Sequence, residues 1–294
     1  MRLLYHMFAD DTQVHTALDS GSKSSQFQAR ERLEKCILSI SSWMTENRLK
    51  LNSDKTEFII IGTKPQLSKM EFSTIEIGSE TIHARTSVRN LGIIFDSEMN
   101  MKEHVFNTTR ICYIKLREIA SIRKYVSNKV AQTLVQSMVI SRLDYGNSLL
   151  FGISDKLILK LQRVQNAAAR IILRLRKYYH ISHGLMSLHW LPVRYRIKFK
   201  TAMITYKVLS TNQPMYLREL LMVQKNTRSL RSSGEIVLKV PKTKLKTAGD
   251  RSFSLAAPKI WNELPRSIKC AASLPLFKKD LKTHYFRSAY KDFL

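Results

Sequence analysis

The chain reads as an α+β protein whose second half is mostly helical and basic, on the strength of two periodicities and one imbalance. Over the first hundred residues, short alternating runs bounded by turn residues accompany a single helical repeat; beyond residue 100, apolar residues recur at steps of three and four. The imbalance is in charge. Against 49 Lys and Arg stand 23 Asp and Glu, a formal net charge of +26 and a pI near 10.1. Such a surplus implies a polyanionic partner, nucleic acid before an acidic membrane surface.

Each element follows from its residues. Leu3–Ala9 and Thr12–Ala17 resemble the arms of a hairpin with Asp10 and Asp11 at its tip. From Gln26 to Leu49, the residues Leu33, Ile37, Ile40 and Met44 mark an amphipathic helix. Asn52-Ser53-Asp54-Lys55 then turns the chain into Glu57–Ile61, a short buried strand. Thr74–Ile77 and Thr81–Ala84 alternate around Gly78-Ser79-Glu80 as a second hairpin, and Val88–Asp96 reads as a further strand. In the second half one helix carries Val105, Cys112, Leu116, Ile119 and Ile122. A second, capped by Ser127, carries Val130, Leu134 and Met138. Ser154 opens a third, with Leu157, Leu161, Val164, Ala168, Ile171 and Leu175 on one face, and Pro192 precedes a fourth with Ile197, Met203 and Leu209. Residues 225–251 read as a basic linker, strand-like only at Ile236–Val240, before a terminal module whose last helix is Leu274–Tyr285. The organisation expected is thus 1–100, 101–222 and 223–294.

Composition excludes several classes. With 44% hydrophobic and 24% charged residues the chain can build a core and is not a disordered tail. No run approaches the roughly 18 apolar residues of a spanning helix, and acid follows the first apolar run too early for a secretory signal, so an intracellular protein is expected. Cys36, Cys112 and Cys270 are odd in number and lack a CxxC, which argues against a disulfide framework or zinc knuckle and for reduced core residues. His180, His183 and His189 lack a further ligand at fixed spacing and read as structural.

Two features carry chemistry. Adjacent carboxylates at positions 10 and 11 repel unless they are solvated or share a cation, and a divalent metal is the obvious candidate. Between Asp155 and Lys200 there are eleven Lys or Arg and one acid, too lopsided for pairing along the helix, so Lys160, Arg163, Arg170 and Arg174 are candidate phosphate contacts. Tyr178 and Tyr179 are candidates for stacking on bases, while Trp43, Trp190 and Trp261 are assigned to core packing.

The order of motifs adds a resemblance. "FADDT", then "WMTENRLKLNSDKTEFIIIGT", then "SVRNLGIIFDSEMNMKEHV" resembles the second half of the palm of reverse transcriptases from non-long-terminal-repeat retrotransposons. "LDYGNSLLFG", "LQRVQNAAARIIL", "LHWLPVRYRIKFK" and "SFSLAAPKIWNELP" resemble the thumb and C-terminal tail of the jockey-like elements. The resemblance implies a partial polymerase palm, a helical thumb-like region and a basic tail, with RNA template, DNA primer and deoxynucleotides as partners in the nucleus and cytoplasm. It makes Asp10 and Asp11 ligands of Mg²⁺ or Mn²⁺ in two-metal nucleotidyl transfer, and Lys55 a general acid or charge clamp at the leaving pyrophosphate. It puts Phe8 beside the primer end and Leu91 and Gly92 in a primer-grip hairpin, Leu91 to Asp96.

The family also supplies an upstream palm Asp and the fingers, and only seven residues precede the FADDT box here. A C-terminal piece with little or no polymerase activity of its own is therefore expected, with an under-stabilised hairpin that has lost its neighbouring strands. The alternative reading is a non-catalytic basic nucleic-acid-binding protein; a basic globular protein with a protein partner is the third.

Overall fold

Serine hydroxyls start three of the helices. Ser22, Ser127 and Ser273 each accept a hydrogen bond from the backbone N–H three residues on, which satisfies one of the donors a helix N-terminus leaves open. The computed structural model describes residues 3–176, 178–224, 236–242 and 249–293. It is a mixed α+β chain with small antiparallel sheets, divided into two compact units, Met1–Glu103 and His104–Leu294.

The N-terminal unit holds three separate two-stranded hairpins and one long helix. β1 (Leu4–Phe8) and β2 (Asp11–His15) pair from Leu4↔His15 to Phe8↔Asp11, leaving Ala9 and Asp10 as the turn. All five β1 residues are exposed, so the open edge expected there is present. α1 (Lys23–Glu46) lays Leu33 and Ile37 on a small core of Phe58, Ile75 and Ile77. It is pinned by Gln26, whose amide donates to the carbonyls of Ser20 and Lys69 and accepts from Glu71 N–H. After the single turn Ser53–Lys55 comes a correction: Glu57–Ile61 forms no strand. Phe58 makes only an isolated bridge to Ala84, and Ile61 is 54% exposed, because no neighbouring strand continues the ladder.

After a short α2 (Lys64–Leu67), β3 (Thr74–Ile77) and β4 (Glu80–His83) close on Gly78-Ser79, with Gly78 at φ +63°. The run read as one strand over Val88–Asp96 is instead a hairpin. β5 (Ser87–Asn90) and β6 (Ile93–Asp96) turn at Leu91-Gly92, both with positive φ, the conformation that two-residue hairpin loops demand. Buried Asp96 then accepts from the N–H groups of Asn100 and Met101 and fixes the exit from the sheet.

The C-terminal unit begins with α3 (Lys102–Ile122), which buries Val105, Cys112, Leu116 and Ile119. α4 (Asn128–Val135) runs through a π-turn, Gln136–Ile140, into α5 (Ser141–Asp144). Its buried stripe is Ala131, Val135 and Val139, while Val130 and Met138 of the expected face are 46% and 39% exposed. Small Ala131 faces inward where α4 packs on α6 (Asp155–Leu173), whose own Ala168 and Ala169 are fully buried; bulkier residues would hold the helices apart.

α7 (Ile181–Ser187) precedes α8 (Val193–Thr211), against which both α10 (Phe253–Glu263) and α12 (Leu274–Ala289) pack. Short α9 (Met215–Arg218) and α11 (Arg266–Lys269) complete the set. α10 was not foreseen; it contains Pro258, a residue that ordinarily breaks a helix interior. Its core partners are Tyr206 of α8 and Phe277 of α12, stacked at 4.2 Å between ring centroids, with Trp261 at 6.1 Å from Phe277.

Of the expected linker, 225–235 and 243–248 lie outside the described residues. The strand-like part, 236–240, is held by α10: the Asn262 amide accepts from Leu238 N–H and donates to Leu238 C=O, and the Trp261 indole donates to Ile236 C=O. Asn262 thereby imitates a strand neighbour.

Asn262→Ala should cost about 1–3 kcal/mol, because two buried backbone groups lose their partner; a urea melt would show a lower midpoint at unchanged slope. The cysteines offer a second check. Only Cys112 is a buried core thiol, pushed up to about 11 by burial; Cys36 is half-buried and Cys270 exposed, which corrects the expectation of three core residues. A thiol reagent at mild pH should label Cys270 in the folded protein and reach Cys112 only after denaturation, as peptide mass mapping would show.

Candidate nucleic-acid interface

The β1–β2 turn puts the carboxylate pair on the surface. Ala9, at φ +53°, and Asp10 form the tip; Asp11 begins β2 opposite Phe8. Asp10 and Asp11 are both exposed, and Phe8 is 59% exposed. Gln13, on β2, donates through Nε2 to the Asn90 Oδ1 at 3.0 Å, so the first hairpin touches the strand that leads into the Leu91-Gly92 turn. Lys55 stands in an Asn52-directed turn: its N–H meets both the Asn52 backbone carbonyl and side-chain oxygen at 3.2 Å, and its ammonium points to solvent. Nearby Glu57 is already engaged, by the Arg85 guanidinium and Arg89 N–H.

This donor set is thin for a divalent ion. Among the described residues no three His, Cys, Asp or Glu side chains converge as ligands. Mg²⁺ asks for six oxygens in near-octahedral array, and two adjacent turn carboxylates at one oxygen each would leave most of that shell to water or to substrate phosphates. By themselves the residues present do not fit a resident metal, and no chemical step is assigned to one. A shallow groove of about 290 Å³ in the same unit, bordered by Met70, Phe72 and Arg85, includes none of Asp10, Asp11 or Lys55.

Charge separates the two units. Residues 1–103 carry 14 Asp and Glu against 13 Lys and Arg, a net of −1; residues 104–294 carry 9 against 36, a net of +27. The whole surplus therefore belongs to the helical unit. Three of its nine acids pair with α8. Arg196 makes a two-pronged pair with Asp144, Arg194 pairs with Asp155, and Lys198 meets Glu263 at 2.9 Å.

The α6 cations have no such partner among the described residues. Lys160, Arg163, Arg170 and Arg174 follow at intervals of three, seven and four, on the flank opposite the buried Leu161, Val164, Ala168 and Ile172. Lys160 sits over the Phe106 ring, 4.2 Å from its centroid. Arg163 and Arg174 are exposed, whereas Arg170 is half-buried with its Nε unpaired. Arg174, just past the helix end at φ +52°, donates to the Arg123 carbonyl at 3.1 Å.

Aromatic side chains divide similarly. Trp190 and Trp261 are buried as expected, but Trp43 is 59% exposed on α1. Tyr178 and Tyr179 are 95% and 50% exposed. His180 and His183 pack their rings on Phe293, each 5.4 Å away, and His189 packs on Phe286, so the three histidines act in ring packing. Sequence reasoning passed over Lys124 and Tyr125, where the ammonium lies 4.7 Å from a ring that is 77% exposed. The signal was present: no Asp or Glu occurs from Ile119 to Leu143.

Comparison with family models, with curated proteins and with solved structures yields no match to this chain. No described helix is long and apolar enough to cross a membrane.

If the carboxylate tip holds no resident ion, millimolar Mg²⁺ should leave the thermal midpoint of the chain unchanged, and Asp10→Asn should shift stability by no more than about 0.5 kcal/mol, the usual range for an exposed site. Calorimetry with and without the ion is the check.

Proposed function

We propose that the chain is of reverse-transcriptase type, with palm-like and thumb-like parts of the kind found in non-long-terminal-repeat elements, and that its activity by itself is nucleic-acid binding without synthesis. Support for the ancestry is the order of motifs, "FADDT" through "WNELP", together with three hairpins and a long helix in the first unit. In this reading Phe8 and the Leu91-Gly92 turn lie along a primer, Lys55 faces a departing phosphate, and template and primer are the ligands.

The observation that carries the binding function is the charge partition. A unit with 36 cations and 9 acids holds far more positive charge than its own ion pairs use, and unpaired cations on one flank of α6 match the charge of a phosphate backbone. The proposal of binding without synthesis is supported by the exposed setting of Asp10 and Asp11, two carboxylates at an open turn.

Fluorescence anisotropy against salt tests the binding. If six or more phosphates are neutralised, affinity should fall by about a thousandfold or more between roughly 50 and 200 mM salt. A shallow dependence equal to that of a charge-matched unrelated protein would remove the reading. Primer extension with Mg²⁺ or Mn²⁺ should give no product; processive synthesis would show that the chain is a complete catalyst.

A further inference from the structure

The corner where α6 ends combines charge with exposed rings. Buried Arg123 holds it together: its guanidinium donates to the carbonyls of Ile171, Ile172 and Val126, each at 2.8 Å, and to Asn128 Oδ1. Those first two carbonyls belong to the last turn of α6, where a cation also meets the negative end of the helix dipole. Arg174 Nη2 returns the contact to the Arg123 carbonyl. Arg123 is thereby fixed beside 171–174, which brings the exposed Lys124 and Tyr125 that follow it to the same corner as exposed Arg174. Arg176 and Tyr178, both exposed, follow Arg174 within four residues.

Nothing in the flanking sequence neutralises this surface. Acids are absent from Ile119 to Leu143 and from Lys156 to Arg218. Phe293 packs on His180 and His183, which brings its neighbour Asp292 to this end of the chain; Asp292 is itself preceded by Lys291.

We propose that this corner is a docking surface for single-stranded nucleic acid, with Tyr125 and Tyr178 stacking on unpaired bases while Lys124, Arg174 and Arg176 meet the phosphates. The proposal rests on the nucleic-acid reading above and adds the strand state and the residues. The cations alone would serve a duplex equally well, because a duplex presents its phosphates outward. Two rings exposed to 77% and 95% give a duplex nothing, since its bases are already stacked and paired; on an unpaired base each ring covers a flat face. An acidic peptide would satisfy the cations and leave both rings unused. Charge complementarity and ring exposure together select a polyanion that carries its own free aromatic faces.

The test uses the full chain and three labelled probes of equal length: oligo-dT, oligo-rU and a blunt DNA duplex. Tyr125→Ala/Tyr178→Ala should weaken both single strands by roughly tenfold or more, and the duplex by less than about twofold. Tyr125→Phe/Tyr178→Phe should restore single-strand affinity, which separates stacking from loss of a hydroxyl. Both positions are exposed, so thermal midpoints should not move. If the wild-type chain binds no probe more tightly than a charge-matched protein, the nucleic-acid reading itself fails. If it binds all three and the alanine pair loses single strand and duplex alike, or neither, only the stacking proposal is overturned. Capture of phosphatidylserine vesicles that the alanine pair abolishes, with oligonucleotide binding unchanged, would assign the same rings to a membrane surface and overturn it too.

Discussion

The helical unit depends on how the segment "LHWLPVR" is received by its neighbours. Pro192 interrupts helix here, so the surrounding backbone groups must find partners outside any helical ladder. They do. Gln165, fully buried on α6, donates to the Leu191 carbonyl at 2.9 Å, and Gln162 accepts from Val193 N–H at 2.8 Å. The two glutamines are themselves joined, Gln162 donating to Gln165 at 3.0 Å and to Asn166 at 2.8 Å. Tyr290, from the far end of the chain, donates to the Trp190 carbonyl at 2.6 Å. A satisfied buried amide network specifies one geometry, because any shift strands a donor in a dry interior. The junction therefore sets the direction of α8, and α8 carries α10 and α12.

That junction also decides where charge is left over. Arg196, one turn into α8, reaches Asp144 at the end of α5, and Arg194 reaches Asp155 at the start of α6. These pairs consume acids near the hub, and exposed ones contribute little stability. Their larger effect is distributive: α8 keeps few free cations near the hub, whereas α6 keeps its whole outer flank. α6 thus adds a flank of cations outside any ion pair to a unit that is basic throughout, and positive potential of this kind raises both encounter rate and affinity for a linear polyanion.

Much of this was legible because it is local. Ser22, Ser127 and Ser273 advertise helix starts by chemistry alone, and Gly78 marks its turn by the conformation it permits. Two competing stripes on α4, however, differ by a single residue, and the larger side chains of 130, 134 and 138 argued for the wrong one. Only the approach of α6 selects Ala131. The hairpin at Leu91-Gly92 escaped the strand reading because a leucine at φ +44° contradicts its own preference; the tertiary surroundings override it. Asn262 as a surrogate strand neighbour left no pattern to read, since its partner lies 24 residues away. The carboxylate tip was visible as a motif, but its exposure, and whether a third ligand reaches it from among the described residues, are properties of neighbours in space.

The two units therefore differ in charge, and in the proposed reading they would meet a nucleic acid on different terms. The first, at net −1, offers no long-range attraction, and the Asp10–Asp11 repulsion is relieved by water at an exposed turn. The second attracts any polyanion, single or double, at a range set by the screening length of about 10 Å at 0.1 M salt. Charge of this kind gives affinity without discrimination. Discrimination needs a short-range contact that one form of the ligand can make and another cannot, and exposed rings next to cations provide it through the faces of unpaired bases. Arg123 is the structural condition for the proposed contact: by holding the α6 terminus and the 123–125 turn together it brings two distant stretches of chain, each with an exposed ring and cations, to one corner of the unit.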